Sequence, residues 1–264
     1  MRFSYAAFTS AGSYYEENQD CILIADQVVQ TKDAFLQGEV NTESYTGAKF
    51  VRVAVSDGVS GLPAAASASR NVCEQLEKMD RKGLRYPPSE MALELRDALS
   101  LATRKNKEIM NGGATLVTAE IYHDFIRLWH AGDSRGYVFS QKTQSLTQIT
   151  QDHTLLATIR GDAEAKIRTQ EFHGTLVTSV ENIFVVSPYS DAPKPTTCLP
   201  VLPVGDILIL CSDGLFENLS NPGIEQLIRG AAIGVEAPVR ALRTAVLTFP
   251  KSDNISVIAL QRLA

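Results

Sequence analysis

The sequence predicts an α+β domain in which two antiparallel β-sheets pack face to face with helices outside. Three observations lead there. A long series of short runs has strand length and β-branched, apolar character: 3–8, 21–28, 50–56, 114–121, 125–130, 136–139, 174–180, 182–186, 206–211 and 255–260. Helical periodicity is confined to a few segments, which come in pairs between and after blocks of strands instead of alternating with them. No repeat, low-complexity tract or strong linker divides the 264 residues, so one domain over 1–264 is expected.

Within that frame, Asp124 falls between two strand runs and reads as a hairpin turn, as does Asp133-Ser134-Arg135-Gly136 between two more. From Leu62, the residues Ala66, Ser69, Cys73 and Leu76 recur at three- and four-residue steps, the stripe of an amphipathic helix. The segment 89–110 repeats the pattern through Leu95, Leu99, Ala102 and Ile109, with Ser89 as its N-cap after Pro87-Pro88. Pro222 opens a third helix ending near Gly230, and Pro238 a fourth running to about Phe249. The polar, weakly periodic stretch at about 153–175 reads as a flap.

Composition excludes several classes. With 44% hydrophobic and 21% charged residues the chain is too apolar for disorder and long enough to bury a core. Thirty acidic against 25 basic residues, a net charge of −5, lack the basic footprint that nucleic acid or an anionic membrane demands. Cys21, Cys73, Cys198 and Cys211 are scattered without a C-x-x-C pair, and read as buried apolar residues in a reducing compartment. The N-terminal stretch lacks the apolar core of a secretion signal, and no segment reaches the roughly 20 apolar residues of a membrane span. A cytoplasmic protein without nucleic-acid or membrane partners is expected.

The acidic residues carry the chemical signal. Apolar strand runs lead straight into Asp57 (VRVAVSDG), Asp133 (RLWHAGDSRG) and Asp213 (DILILCSDG), and Asp253 (KSDNISVIAL) stands just before one. Carboxylates at the mouth of a β-core are partly desolvated, and several share a site only when a cation neutralises them. Mg²⁺ and Mn²⁺ take such oxygen ligands. Asp-Gly is also an ordinary turn pair, so from spacing alone the turn reading and the metal reading both stand.

The order of motifs decides between them. EENQD (with Asp20), VSDGVSG, GGATLVTAEI, HAGDSRGYVF, ITQDHT (with Asp152 and His153), CSDGLFE (with Glu217) and KSDNISVIAL (with Asn254) follow one another along the chain. This succession resembles the PP2C family of metal-dependent serine/threonine protein phosphatases, from Asn18 to Leu260. The resemblance implies a β-sandwich with helices on both outer faces and a bimetal Mn²⁺ or Mg²⁺ centre with room for a third ion. Asp57 would bridge the two core ions, the Gly58 carbonyl would ligate one, and Asp213 and Asp253 would complete the other. Asp133 and Glu217 would take the third ion, Asp20 would hold metal-bound water, and Asn254 would orient its neighbour. Phosphoserine and phosphothreonine in proteins would then be hydrolysed by a metal-activated water, with no covalent phosphoenzyme. The partner implied is a phosphoprotein, dephosphorylated in opposition to a Ser/Thr kinase, as in bacterial members that stand alone as catalytic domains.

Two positions depart from the family pattern. An arginine that clamps phosphate is replaced at Tyr14 and Tyr15, and a histidine proposed as general acid is replaced at Leu62. Substrate-binding residues are therefore unassigned, and His153 is carried as a catalytic candidate beside the reading that it is a structural hydrogen-bonding residue. Arg135 is read as bracing the Asp133 turn by pairing with an acid. Trp129 is read as packing, Tyr14 and Tyr15 as packing on the sandwich with lining of the substrate groove as the alternative, and His123, His130 and His173 as core-edge or surface residues. The departures also motivate an alternative: a PP2C-like module that binds or regulates phosphoproteins with little turnover. A phosphohydrolase working through an aspartyl-phosphate is disfavoured, because neither Asp57 nor Asp213 has an Asp two residues before it.

Overall fold

The computed structural model describes residues 1–44, 50–154, 180–229 and 234–263. In chain order its elements are β1 (Arg2–Ser10), β2 (Asp20–Ile24), β3 (Gln27–Val29), β4 (Asp33–Asn41), β5 (Val51–Asp57), α1 (Ala65–Arg81) and α2 (Pro88–Lys105). Then follow β6 (Gly113–Ala114), β7 (Leu116–Ile121), β8 (Ile126–Ala131), β9 (Arg135–Ser140), β10 (Ser145–Gln148), β11 (Phe184–Val185), β12 (Thr196–Cys198) and β13 (Ile207–Cys211). The chain closes with α3 (Asp213–Phe216), α4 (Asn221–Arg229), α5 (Glu236–Leu247) and β14 (Ile255–Arg262).

Two six-stranded antiparallel sheets form the body, in the orders β10-β9-β13-β14-β1-β4 and β12-β8-β7-β5-β2-β3. Alternation along each strand divides its side chains between two interiors. In β5, Val53 and Val55 point between the sheets while Ala54 faces the α1–α2 side. In β13, Leu208 and Leu210 join the inter-sheet core while Ile207 and Ile209 pack under α4 and α5. Both faces of these strands are covered, which is why they read as continuous apolar runs without polar alternation. Arg52, wholly buried, fastens α1 to the second sheet: its Nε donates to Asp80 Oδ2 at 2.7 Å and its Nη1 to Glu120 Oε1 at 3.0 Å. Trp129 Nε1 donates to the same Glu120 oxygen at 3.0 Å, so this aromatic is a core residue, as expected.

Several expectations need correction. Asp133-Ser134-Arg135-Gly136 is not a hairpin: β8 pairs with β7 and β12 in one sheet, whereas β9 pairs with β10 and β13 in the other. The chain crosses between sheets there, which puts Asp133 at the open end of the sandwich. The Asp124 turn is a hairpin, closed by Tyr122 N donating to Phe125 O at 2.9 Å. Ser89 does not cap α2, which begins at Pro88 with Pro87 at the cap position and no side-chain cap bond. Pro238 lies in the first turn of α5, not at its start, and Cys198 is only half-buried while the other cysteines are buried. Tyr14 is 60% exposed and packs edge-on against Tyr15, with ring centroids 4.7 Å apart, and not into the sandwich. His130 is buried, whereas His123 is exposed. The strand run at 174–180, His173 and most of the flap at about 153–175 lie outside the described residues. Among the described residues no helix is long and apolar enough to cross a membrane.

Candidate metal centre

Strand ends bring the aspartates together. Asp57 is the last residue of β5 and Asp20 the first of β2, and the two face each other directly in register. Asp213 opens α3 after β13 in the opposite sheet, and Asp253 precedes β14. With the crossover residue Asp133, they converge where the sheets splay. Asp57, Asp133, Asp213 and Asp253 line one cavity of 110 Å³ together with Val59, Ser60, Thr115 and Val180. Glu217 lies one turn after Asp213, its N–H donating to the Asp213 carbonyl at 2.9 Å. Asp20 is wholly buried behind this wall, where Oδ2 accepts a 2.7 Å bond from Ser212 Oγ while Oδ1 has no partner.

Close backbone approach shapes the surroundings. A Cβ on Gly58 would stand 2.3 Å from the Ala65 carbonyl oxygen, so only glycine lets α1 close on the end of β5. Asn254 locks the loop before β2 to the loop before β14. Its Nδ2 donates to the Ala11 carbonyl at 2.9 Å, its Oδ1 accepts from Gln19 N at 2.8 Å, and its own N–H donates to Asp253 Oδ1 at 2.6 Å.

The electrostatics are lopsided. Burial, followed by the neighbouring carboxylates Asp213, Asp20 and Asp133, holds the Asp57 carboxyl well above the usual range. Asp213 is raised in the same way, by burial and then by Asp133, Glu217 and Asp253. Burial pushes Asp20 and Asp133 each up to about 6, and raises Asp253 and Glu217 as well. Six acids all shifted in the direction of neutrality define a site that a cation would relieve. Among the described residues no three acidic, imidazole or thiol groups are already gathered closely enough to hold a metal ion. An open ring of hard oxygen donors, with the orphaned Asp20 oxygen behind it, suits Mg²⁺ or Mn²⁺, ions that keep several waters. The residues present therefore fit the implied metals.

No family model matches the chain. A curated relative, the serine/threonine protein phosphatase PstP of Mycobacterium tuberculosis, is 27% identical over 221 residues, which make up 81% of this chain and 40% of that protein. The chain thus spans less than half the length of this relative. Among solved structures, the serine/threonine phosphatase Stp1 of Staphylococcus aureus superposes with a TM-score of 0.75 at 19% identity, covering 98% of this chain and 94% of that one. The catalytic domain of PstP, solved in complex with 2 manganese ions, superposes with a TM-score of 0.67 at 22% identity over 100% of both chains. The fold is that of the PP2C-type phosphatases. The family resemblance read from the motifs is the one these relatives carry.

In this PP2C fold, His153 stands away from the aspartate cavity. Its Nδ1 accepts from Gly132 N at 3.2 Å and from Asn182 Nδ2 at 2.8 Å, leaving Nε2 to donate to Thr196 Oγ1 at 2.8 Å. These bonds favour the structural reading of His153 and make it a brace for the Gly132–Asp133 turn. Arg135 braces the same turn from the other side, bidentate to Asp152 at 2.9 and 2.6 Å. Leu62 does not line the aspartate cavity and leans on Gly113.

The sequence reading missed the hydroxyls. Asp57, Asp213 and Asp253 each follow a serine, and Ser56, Ser212 and Ser252 are all wholly buried. Ser56 Oγ donates to the Thr115 carbonyl at 2.7 Å, Ser212 Oγ to Asp20, and Ser252 Oγ accepts from Ser13 N at 3.0 Å. Each S-D pair ties a strand end to a neighbour just before its carboxylate enters the cavity. The signal was visible in VSDG, CSDG and KSDN.

Proposed function

We propose that this chain is a Mn²⁺- or Mg²⁺-dependent phosphatase acting on phosphoserine and phosphothreonine in proteins, opposing a Ser/Thr kinase in the cytoplasm. The observation that carries the reading is the ring of Asp57, Asp133, Asp213 and Asp253 around one cavity, every member shifted toward neutrality and one oxygen of Asp20 left without a partner behind it. Bound divalent ions would supply charge to offset the phosphoryl oxygens and would acidify a water. Asp57, Asp213 and Asp253, with the Gly58 carbonyl, would hold the core pair, and Asp133 with Glu217 a further ion.

The chain's own contribution is placement. Strand ends fixed by buried serines and by Asn254 leave the carboxylates little room to reorganise, which is how preorganised charge accelerates phosphoryl transfer. The Gly132–Asp133 turn is held from both sides by His153 and Arg135. No imidazole among the described residues lines the cavity.

One observation favours a second reading, a phosphoprotein-binding module with little turnover: no lysine or arginine lines the cavity among the described residues. Hydrolysis of a phosphothreonine peptide in manganese separates the two. The wild type should release phosphate, and Asp57→Asn should lose at least about a hundredfold of the rate, the scale of removing one key electrostatic group. Equal rates overturn the phosphatase reading.

A further inference from the structure

A phosphate ester brings negative charge into a cavity whose described walls hold four carboxylates and no cationic side chain. Phosphoryl oxygens that do not face a cation need hydrogen-bond donors. Of the two hydroxyls on the wall, Thr115 Oγ1 is committed: it accepts from Asp57 N at 3.1 Å and shares a 2.7 Å bond with Ser134 Oγ. Ser60 is exposed, and its Oγ donates to Gln19 Oε1 at 3.0 Å.

Gln19 springs from a fixed root. Its N–H donates to Asn254 Oδ1 at 2.8 Å, and its carbonyl accepts from Gly58 N at 3.1 Å and from Ser69 Oγ. Its Nε2 donates to nothing among the described residues. Ser60 and Gly61 form a tight turn closed by Leu62 N donating to Val59 O at 3.2 Å, with Gly61 at φ +91°. The N–H groups of Ser60 and Gly61 are likewise unused among the described residues. Four uncharged donors are thus grouped around Ser60, which lines the cavity: Gln19 is bonded to its hydroxyl and Gly61 follows it in the turn.

We propose that Gln19 and the Ser60–Gly61 turn form a neutral phosphate cradle, in which Gln19 Nε2, Ser60 Oγ and the two turn amides donate to the phosphoryl oxygens. This inference rests on the phosphatase reading for its physiological ligand, and it assigns the substrate-binding residues that the sequence left open. Ser60 Oγ turns from Gln19 to the phosphate when the ligand enters.

Calorimetric titration of inorganic phosphate into the manganese-loaded protein tests it, with steady-state kinetics on a phosphothreonine peptide alongside. Gln19→Ala and Ser60→Ala should each weaken phosphate binding about tenfold, the low end for a hydrogen bond to a charged group. KM should rise in step while kcat stays within about twofold, and Ser60→Thr should restore wild-type binding. Manganese affinity, titrated separately, should not change. Unchanged phosphate affinity in both alanine variants overturns the cradle, as does parallel loss of manganese affinity or a wild type that binds no phosphate. A wild type without turnover overturns the phosphatase reading instead, and the phosphate titration still decides the cradle.

Discussion

Asp20→Asn should stabilise the cation-free protein. Asp20 is wholly buried opposite Asp57, with one oxygen bonded to Ser212 and the other to nothing. Burial, the largest influence on it, lifts its pKa from 3.8 to about 6. One pKa unit corresponds to about 1.4 kcal/mol, so ionised Asp20 costs the folded state about 3 kcal/mol at pH 7. A raised carboxylate binds its proton more tightly in the folded than in the unfolded chain. Its penalty is therefore absent below about pH 4, grows between pH 4 and 6, and is complete above 6. Asparagine keeps the oxygen that Ser212 bonds and removes the charge. In chelator at pH 7 the variant should gain about 3 kcal/mol, roughly 6–12 °C in melting temperature for a chain of this size. At pH 4 the two proteins should unfold together. Urea and thermal denaturation at both pH values measure the difference; a variant no more stable than wild type at pH 7 would refute the electrostatic account.

Other expectations follow from single contacts. Gly58→Ala drives a Cβ to 2.3 Å from the Ala65 carbonyl, so denaturation should show a loss of about 1–3 kcal/mol, with a weaker manganese response. Glu120 is pushed up by burial, but Arg52 and Arg127 outweigh it and leave the carboxyl below its usual range. Glu120→Ala leaves buried Arg52 paired with Asp80 but Trp129 Nε1 unpaired, and urea titration should show a loss of about 1–3 kcal/mol with the manganese requirement intact. His153→Ala removes a brace and not a reacting group, so kcat should fall by less than about tenfold; a fall as deep as that of Asp57→Asn would mean that His153 acts directly.

Much of this architecture was legible because its strands are buried on both faces. Val51, Val53 and Val55, or Ile207 through Cys211, announce themselves as apolar runs of strand length. β4 did not, because as the outermost strand of its sheet it is largely exposed and its residues follow no apolar pattern. β10 and β12 are short outer strands with the same weakness. The aspartates were legible one by one from the strands that deliver them, and as a set from their order. Their convergence was not, because the crossover at Asp133 looks locally like any Asp-Ser turn, and only the sheet assignment of β8 and β9 distinguishes it. The neutral donors of Gln19 and Ser60 were invisible for a simpler reason: nothing in NQD or VSG marks which side chain will stand near a cavity completed by Thr115, Asp133, Asp213 and Asp253 from distant parts of the chain.

The central claim is that the aspartate ring is a cation site whose charge destabilises the empty protein. Melting temperature against manganese concentration at pH 7, for wild type and Asp57→Asn side by side, tests it most directly. Wild type should start lower in chelator and climb with manganese, by about 2.7 kcal/mol at a hundred times the dissociation constant. Asp57→Asn should start higher and respond weakly. A flat wild-type curve, or an equal climb in both proteins, would contradict the account.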